Sequence, residues 1–252
     1  MADKYALLQS GYKAFWNCLD WVFPPNCVGC GAEGYQICPD CLQKIQFTSR
    51  ESCVRCGRSL RSRGVCKGCL QQPPAFTELR SLAIYEGTIQ KIVVNLKYKA
   101  DLGLSLMVSE LMSRLVQAED WELDMVVPVP LNEKRREERG YNQAAVLAFP
   151  LSLNLKLPMR VRALARIRDT ESQVHLNAAE RKANVQGAFL ADPLLVRGKR
   201  VLLVDDVCTT GATLNAAAEA LCSAGCSDVR VLTLAKAIDH RQPVEITTPN
   251  KV

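Results

Sequence analysis

Residues 201–213, Val-Leu-Leu-Val-Asp-Asp-Val-Cys-Thr-Thr-Gly-Ala-Thr, restrict what this chain can fold into more than any other stretch. The apolar, β-branched run Val201–Val204 has the composition of a strand buried on both faces of a parallel sheet. It ends in two adjacent carboxylates, Asp205 and Asp206, and a small hydroxyl-rich turn follows. A helical pattern then runs from Leu214 to Leu221. In open α/β sheets, ligands bind at this junction of strand end and helix start. Free backbone N–H groups there, with the positive end of the helix dipole, favour a phosphate. Thr209, Thr210 and Thr213 add hydroxyl donors, and Gly211 allows positive φ or close backbone approach. Carboxylates beside an anion site repel the anion unless they grip something else, and sugar hydroxyls fit. The expected arrangement is a ribose on Asp205 and Asp206 at an exposed strand end, with its 5′-phosphate on residues 209–213. An acid-tipped strand-turn-helix of the receiver-domain kind is the competing reading, and the Thr-Thr-Gly-Ala-Thr continuation weighs against it.

The rest of the chain must supply the remainder of a sheet and account for twelve cysteines. A chain of 252 residues with 48% hydrophobic residues suits one ordinary domain plus a small one, with a real core. No apolar run is long enough to span a bilayer. The start, Met-Ala-Asp-Lys-Tyr, has no basic segment leading into an apolar one. A cytoplasmic protein is therefore expected, and the cysteines are read as metal ligands or free thiols.

Four Cys-x-x-Cys pairs fall between residues 27 and 69: Cys27/Cys30, Cys38/Cys41, Cys53/Cys56 and Cys66/Cys69. Two of them, Cys27-Val-Gly-Cys-Gly and Cys53-Val-Arg-Cys-Gly, have the form of a zinc knuckle. Two closed four-cysteine zinc sites are expected, one from Cys27, Cys30, Cys38 and Cys41, the other from Cys53, Cys56, Cys66 and Cys69. Spacing alone leaves an interleaved pairing open. The formal net charge of +6 falls to about +2 once eight thiolates hold two Zn²⁺, so global charge decides little about nucleic acid. The local clusters Arg55, Arg58, Arg61, Arg63, Lys67 and Lys134, Arg135, Arg136, Arg139 matter more, although a solvated face is the commoner reason for such runs.

Four regions follow along the chain. Residues 1–24 carry an amphipathic helix closed by Pro24-Pro25, expected to pack on the next domain. Residues 25–72 form the double zinc module, and Pro73-Pro74 links it to an α/β domain at 75–238. Within that domain the pattern predicts strands at 79–85, 124–129, 200–204 and 228–234. Helices are expected at 88–98, 101–118, 140–150 and 212–224. Residues 160–186 read as mostly irregular, with a short helix at 177–184, and 239–252 as a loose tail.

The 201–213 stretch resembles the phosphoribosyl pyrophosphate (PRPP) loop of type I phosphoribosyltransferases. Other motifs narrow the resemblance: Val126-Val-Pro-Val-Pro-Leu131, Arg136, Arg139-Gly-Tyr-Asn-Gln143, Arg166, Thr170, Gln173, Arg181 and Asn184-Val-Gln-Gly-Ala-Phe189. Together with the cysteine-rich start they resemble the ComF family, associated with DNA uptake in competent bacteria. The resemblance implies a type I phosphoribosyltransferase-like parallel sheet joined to an N-terminal zinc module. PRPP would be bound by Asp205, Asp206, Val207, Cys208, Thr209, Thr210, Gly211, Ala212 and Thr213. Val129, in the turn 128–131, and Arg136 would bind its pyrophosphate. Asp205, Asp206, Arg139 and Arg181 are the residues expected to carry catalysis. Two structural Zn²⁺ and a Mg²⁺ accompanying PRPP are the implied cofactors. Arg166, Arg168 and Arg181 would shield the leaving pyrophosphate from a mobile loop, whereas His175, without an orienting partner, reads as structural or solvent-exposed. The implied partners are PRPP, single-stranded DNA, and a competence helicase or other DNA-processing proteins, with no membrane span. Residue 2 is Ala, so the N-terminal cysteine of glutamine-dependent relatives is missing. No acceptor-binding hood is recognisable either. Two functions therefore stay open: phosphoribosyl transfer to an unidentified acceptor, or non-catalytic handling of single-stranded DNA or sensing of PRPP.

Overall fold

A computed structural model describes residues 2–99, 101–168 and 185–237. Thr170, Gln173, His175, Arg181, the helix expected at 177–184 and the tail expected at 239–252 lie outside the described residues. Four parallel strands form the centre: β1 (Glu78–Ile84), β2 (Met125–Pro128), β5 (Arg200–Cys208) and β6 (Asp228–Lys236). They lie side by side in the order β1-β6-β5-β2. The helices α4 (Gly87–Tyr98), α5 (Leu102–Ala118), α7 (Gln143–Leu155) and α9 (Ala212–Ser223) cover the sheet, and a single turn, α8 (Pro193–Val196), leads into β5.

Strand alternation assigns the two faces. Leu202 and Val204 belong to a core shared with Ile92, Leu96, Val108, Met112, Leu147 and Leu151 of α4, α5 and α7. Val201 and Leu203 belong to a second core with Leu214, Ala217 and Leu221 of α9. All four of these strand residues are fully buried, which is why the run reads as continuously apolar rather than alternating. The period of two then carries Asp206 onto the α4/α7 face and Asp205 onto the other.

Three expectations change. β5 does not end at Val204: Asp205 pairs with Thr233, Val207 with Ala235 and Cys208 with Lys236 of β6. A neighbour long enough to keep supplying hydrogen bonds carries the strand through both aspartates. The helix expected at 140–150 runs as α7 from Gln143 to Leu155, and a helix not expected from the sequence, α6 (Glu133–Arg139), precedes it and ends at Gly140, whose φ of 77° makes a left-handed cap. Segment 160–186 contributes β3 (Leu164–Arg166), which pairs antiparallel with β4 (Phe189–Ala191) and closes the α9 side.

The N-terminal helix α1 (Ala2–Val22) reaches past the cysteine-rich segment to α7. There Tyr12 meets Phe149 edge-on at 5.3 Å, and Gln9 donates to Asn154 at 2.8 Å. The cysteine-rich segment lies along β1, with Ile84 N donating to Gln46 O, Thr48 N to Leu82 O and Leu79 N to Val54 O. No described helix is long and apolar enough to cross a membrane.

Candidate functional site

The cysteines form two groups built by one repeated design. Cys27, Cys30, Cys38 and Cys41 make the first, and Cys53, Cys56, Cys66 and Cys69 the second, with the ligand atoms of each group within 4.8 Å of one another. The pairing is therefore sequential, and the interleaved alternative falls. In each group the glycine after the second cysteine takes positive φ, 83° at Gly31 and 68° at Gly57. Its N–H donates to the carbonyl of the first cysteine at 2.8 Å. The third cysteine starts a one-turn helix, α2 (Pro39–Gln43) or α3 (Lys67–Gln71), that carries the fourth. Its N–H donates to the first sulfur, Cys38 to Cys27 at 3.2 Å and Cys66 to Cys53 at 3.3 Å. Eight convergent thiols with N–H groups aimed at sulfur make two cysteine-rich zinc-binding sites, the donor set and closed geometry of structural zinc.

A cleft of about 330 Å³ opens at the carboxyl ends of β5 and β2. Its floor is Asp205, Asp206, Val207 and Cys208, and the turn Thr209, Gly211, Ala212 and Thr213 closes one end. Gly211 caps α9 at φ 81°, a conformation that a side chain at this position would strain. Val129, Pro130, Leu131 and Asn132 form a second wall, with Arg135, Arg139 and Gln143 behind them.

Asp206 is 5% exposed, not at an open strand end. Its Oδ2 lies 2.8 Å from Nζ of Lys97, in the last turn of α4. Burial pushes its carboxyl up. The Lys97 charge and hydrogen bonds from Lys97, Asp205 and Gln143 outweigh this and hold it below the usual carboxylate range. Asp205, half-buried, is driven well above that range by burial and by the charge of Asp206 next to it. The cleft floor thus sets two adjacent carboxyls, pushed in opposite directions, beside one ammonium. Asp205 Oδ1 accepts from the Asp206 N–H at 2.9 Å, which orients the pair.

The Arg139–Gln143 motif is the bracket around this floor. Tyr141 donates to the carbonyl of Leu96 at 2.9 Å, pinning the turn of α4 that carries Lys97. Asn142 donates to the carbonyl of Val129 at 2.9 Å and accepts from Ala144 N at 3.0 Å, so it caps α7 while fastening the wall after β2. Arg139 donates to Gln143 at 3.0 Å and stacks over Tyr98 at 5.3 Å.

Comparison with known proteins agrees with this architecture. Residues 18–70 match the double zinc ribbon domain, and residues 137–248 match the phosphoribosyl transferase domain. The DNA utilization protein YhgH of Escherichia coli K12 is 32% identical over 208 residues, covering 80% of this chain and 91% of that protein. Competence protein F of Haemophilus influenzae is 30% identical over 212 residues, covering 80% and 90%.

The chain belongs to the ComF family.

A more distant relative, competence protein ComFC of Bacillus subtilis, is 27% identical over 197 residues, 75% of this chain and 79% of that one. Among solved structures, a glutamine PRPP amidotransferase from Bacillus subtilis covers 56% of this chain and 30% of that one, at 21% identity and a TM-score of 0.39. With its two matched domains, the ComF chain joins a phosphoribosyltransferase-like parallel sheet to a zinc ribbon pair at its N-terminal side.

Not every residue singled out from the sequence lines the cleft of this ComF-family chain. Asp205, Asp206, Val207, Cys208, Thr209, Gly211, Ala212, Thr213, Val129, Arg139 and Arg166 do; Thr210 and Arg136 do not. Thr210 instead accepts from Ala212 N at 3.4 Å, and Arg136 supplies the carbonyl that Gly140 N caps at 2.8 Å. Lys97 and Tyr85 line the cleft and had no signal in any local motif. A lysine ending an amphipathic helix reads as a dipole partner until the sheet places that helix against β5.

Proposed function

We propose that this ComF-family chain binds PRPP and transfers its phosphoribosyl group to an acceptor, in the service of DNA use. What supports this most is the coincidence, in one cleft, of the Asp205–Asp206 pair and the turn 209–213 at the start of α9. In this reading the carboxyl pair takes the ribose hydroxyls. The backbone N–H groups of 209–213 and the hydroxyl of Thr213 take the 5′-phosphate. The pyrophosphate lies against residues 129–131, with Arg139 and Arg135 neutralising it through guanidinium groups suited to phosphate oxygens. Mg²⁺ arriving with the pyrophosphate supplies further charge neutralisation for the leaving group.

Breaking the bond between the anomeric carbon and pyrophosphate through a cation-like sugar needs positioning and charge compensation, not a protein nucleophile. Among the described residues the cleft offers the first two, and Asp206 is held by Lys97. The names of the relatives, DNA utilization protein and competence protein, support a role in DNA use and leave the acceptor unspecified. Calorimetry with PRPP and Mg²⁺, followed by a screen of nucleobases, amines and DNA for pyrophosphate release, tests both halves. Absence of PRPP binding overturns the reading. Binding without release under any acceptor leaves a PRPP sensor.

A further inference from the structure

Lys97 belongs to none of the cleft motifs, yet its ammonium sits on the floor of the cleft, 2.8 Å from Oδ2 of Asp206. Its side chain is 25% exposed and that of Asp206 7%, so most of the contact is out of water. Its position is not left to a flexible stem. α4 is packed through Ile92, Val93 and Leu96, each fully buried, and Tyr141 holds the carbonyl of Leu96 at 2.9 Å. The residue that brackets the turn belongs to the same motif as Gln143, which also reaches Asp206.

We propose that Lys97 is a positioning residue for sugar recognition: it pairs with Oδ2 of Asp206 and fixes that carboxylate for the ribose hydroxyls. This rests on the PRPP reading of the cleft and adds to it a residue on a different element of the fold. Asp206 is also faced by Asp205 on its own strand and by Gln143 from α7, with Arg139 of α6, Arg166 of β3 and Tyr85 after β1 lining the same cleft. Arg139 is engaged by Gln143 and stacked on Tyr98, and Arg166 stacks over Phe189 at 5.4 Å. Among the described residues Lys97 forms an ion pair with the Asp206 carboxylate. Without it, burial and the neighbouring Asp205 would push the Asp206 carboxyl up, and the acceptor would weaken.

The test measures ribose 5-phosphate binding by the full-length, zinc-loaded protein across pH 6–8, for the parent, Lys97→Met, Lys97→Arg, Asp206→Asn and Lys97→Met with Asp206→Asn. The parent is expected to follow the pH profile set by the ligand's own phosphate, whose second pKa is about 6. Lys97→Met should bind roughly tenfold or more weakly at pH 7, with the loss deepening as pH falls, and Lys97→Arg should restore both strength and pH profile. The double variant should bind no worse than Asp206→Asn, because both changes remove one function. Lys97→Met binding like the parent at every pH overturns the proposal. So do losses that add in full in the double variant, which would place Lys97 on the ligand rather than behind Asp206. Should Lys97→Met melt at working temperature, Lys97→Arg against the uncharged double variant carries the same comparison. If the parent itself fails to bind ribose 5-phosphate, the reading of the cleft is what fails, and the variants are not needed to see it.

Discussion

Lys236 stands at the end of β6 with its ammonium 3.6 Å from the sulfur of Cys208, the residue at which β5 turns into the 209–213 loop. The same ammonium donates to the carbonyl of Cys56 at 2.8 Å. One side chain thus ties a cysteine of the second zinc-binding site to the floor of the cleft. Lys236→Met should cost about 1.5 kcal/mol of stability, the scale of a charge-assisted hydrogen bond. Limited proteolysis should then cut faster between residues 53 and 72 while the sheet stays protected. Equal protection in parent and variant would show that the bridge holds nothing in place.

The two zinc-binding sites should not be equivalent. Cys27, Cys38 and Cys41 are part of the core that also contains Ile92, Leu96 and Leu202, whereas Cys53, Cys66 and Cys69 cluster only with Leu60, Cys56 and Val65. Zinc folds segments that lack a core of their own. Cys69→Ser is therefore expected to unfold residues near it and leave the sheet intact. Cys41→Ser should lower the melting temperature of the whole chain. Elemental analysis should find two zinc ions in the parent and one in each variant. Identical melting curves for the two variants would remove the distinction.

Asp205→Asn and Asp206→Asn should separate as well. Either change should weaken PRPP binding by about 1.5–3 kcal/mol, roughly ten- to a hundredfold. An exposed strand end would have made both harmless to folding. Asp206 is buried against Lys97, so Asp206→Asn leaves an ammonium without its carboxylate and should also destabilise the apo protein. Asp205→Asn should not, because it relieves the repulsion between adjacent carboxyls that already pushes the Asp205 group up. Thr213→Val should weaken ribose 5-phosphate together with PRPP. Calorimetry and thermal melts on the three variants check this.

Beneath the sheet, Arg80 (6% exposed) meets Glu119 with Nε 3.0 Å from Oε1, and Arg63 reaches Oε2 of Glu119 at 2.7 Å. Burial raises the Glu119 carboxyl, but the two guanidinium groups outweigh it and hold the group below its usual range. A depressed folded-state pKa gives stability that is present above the unfolded value and is lost as pH falls through the folded one. Glu119→Gln should cost about 3–5 kcal/mol at pH 7, as for other broken buried pairs, and the deficit should shrink in acid. Chemical denaturation at neutral and acidic pH reads the difference directly.

Arg63 is therefore occupied by Glu119 and is a poor candidate for DNA, which revises the basic cluster read from the sequence. Arg61 and Lys67 are exposed. If single-stranded DNA binds here, replacing both with Ala should reduce the salt slope by about 0.7 for each phosphate no longer neutralised. An unchanged slope would place any DNA-binding surface elsewhere.

Local order along the chain determined a good deal. The repeat of cysteine spacings named the ligands of two zinc-binding sites, because a closed tetrahedral site is built from pairs a few residues apart. The run 201–213 named a strand, an acidic pair and a helix start, because each is a property of neighbouring residues. The grouping of the cysteines, the place of Lys97 in the cleft and the burial of Asp206 were not legible in the same way. Asp206 reads as a solvated strand tip until β6 extends β5 past it and α4 lays Lys97 against it. Gly140 and Asn142 read as the first turn of a helix until Gly140 caps α6 and Asn142, fastened to the carbonyl of Val129, caps α7. These outcomes depend on strand register and on contacts between residues 13 to 109 positions apart. Charge and burial at such contacts are set by what the fold brings near, and no local pattern carries that information.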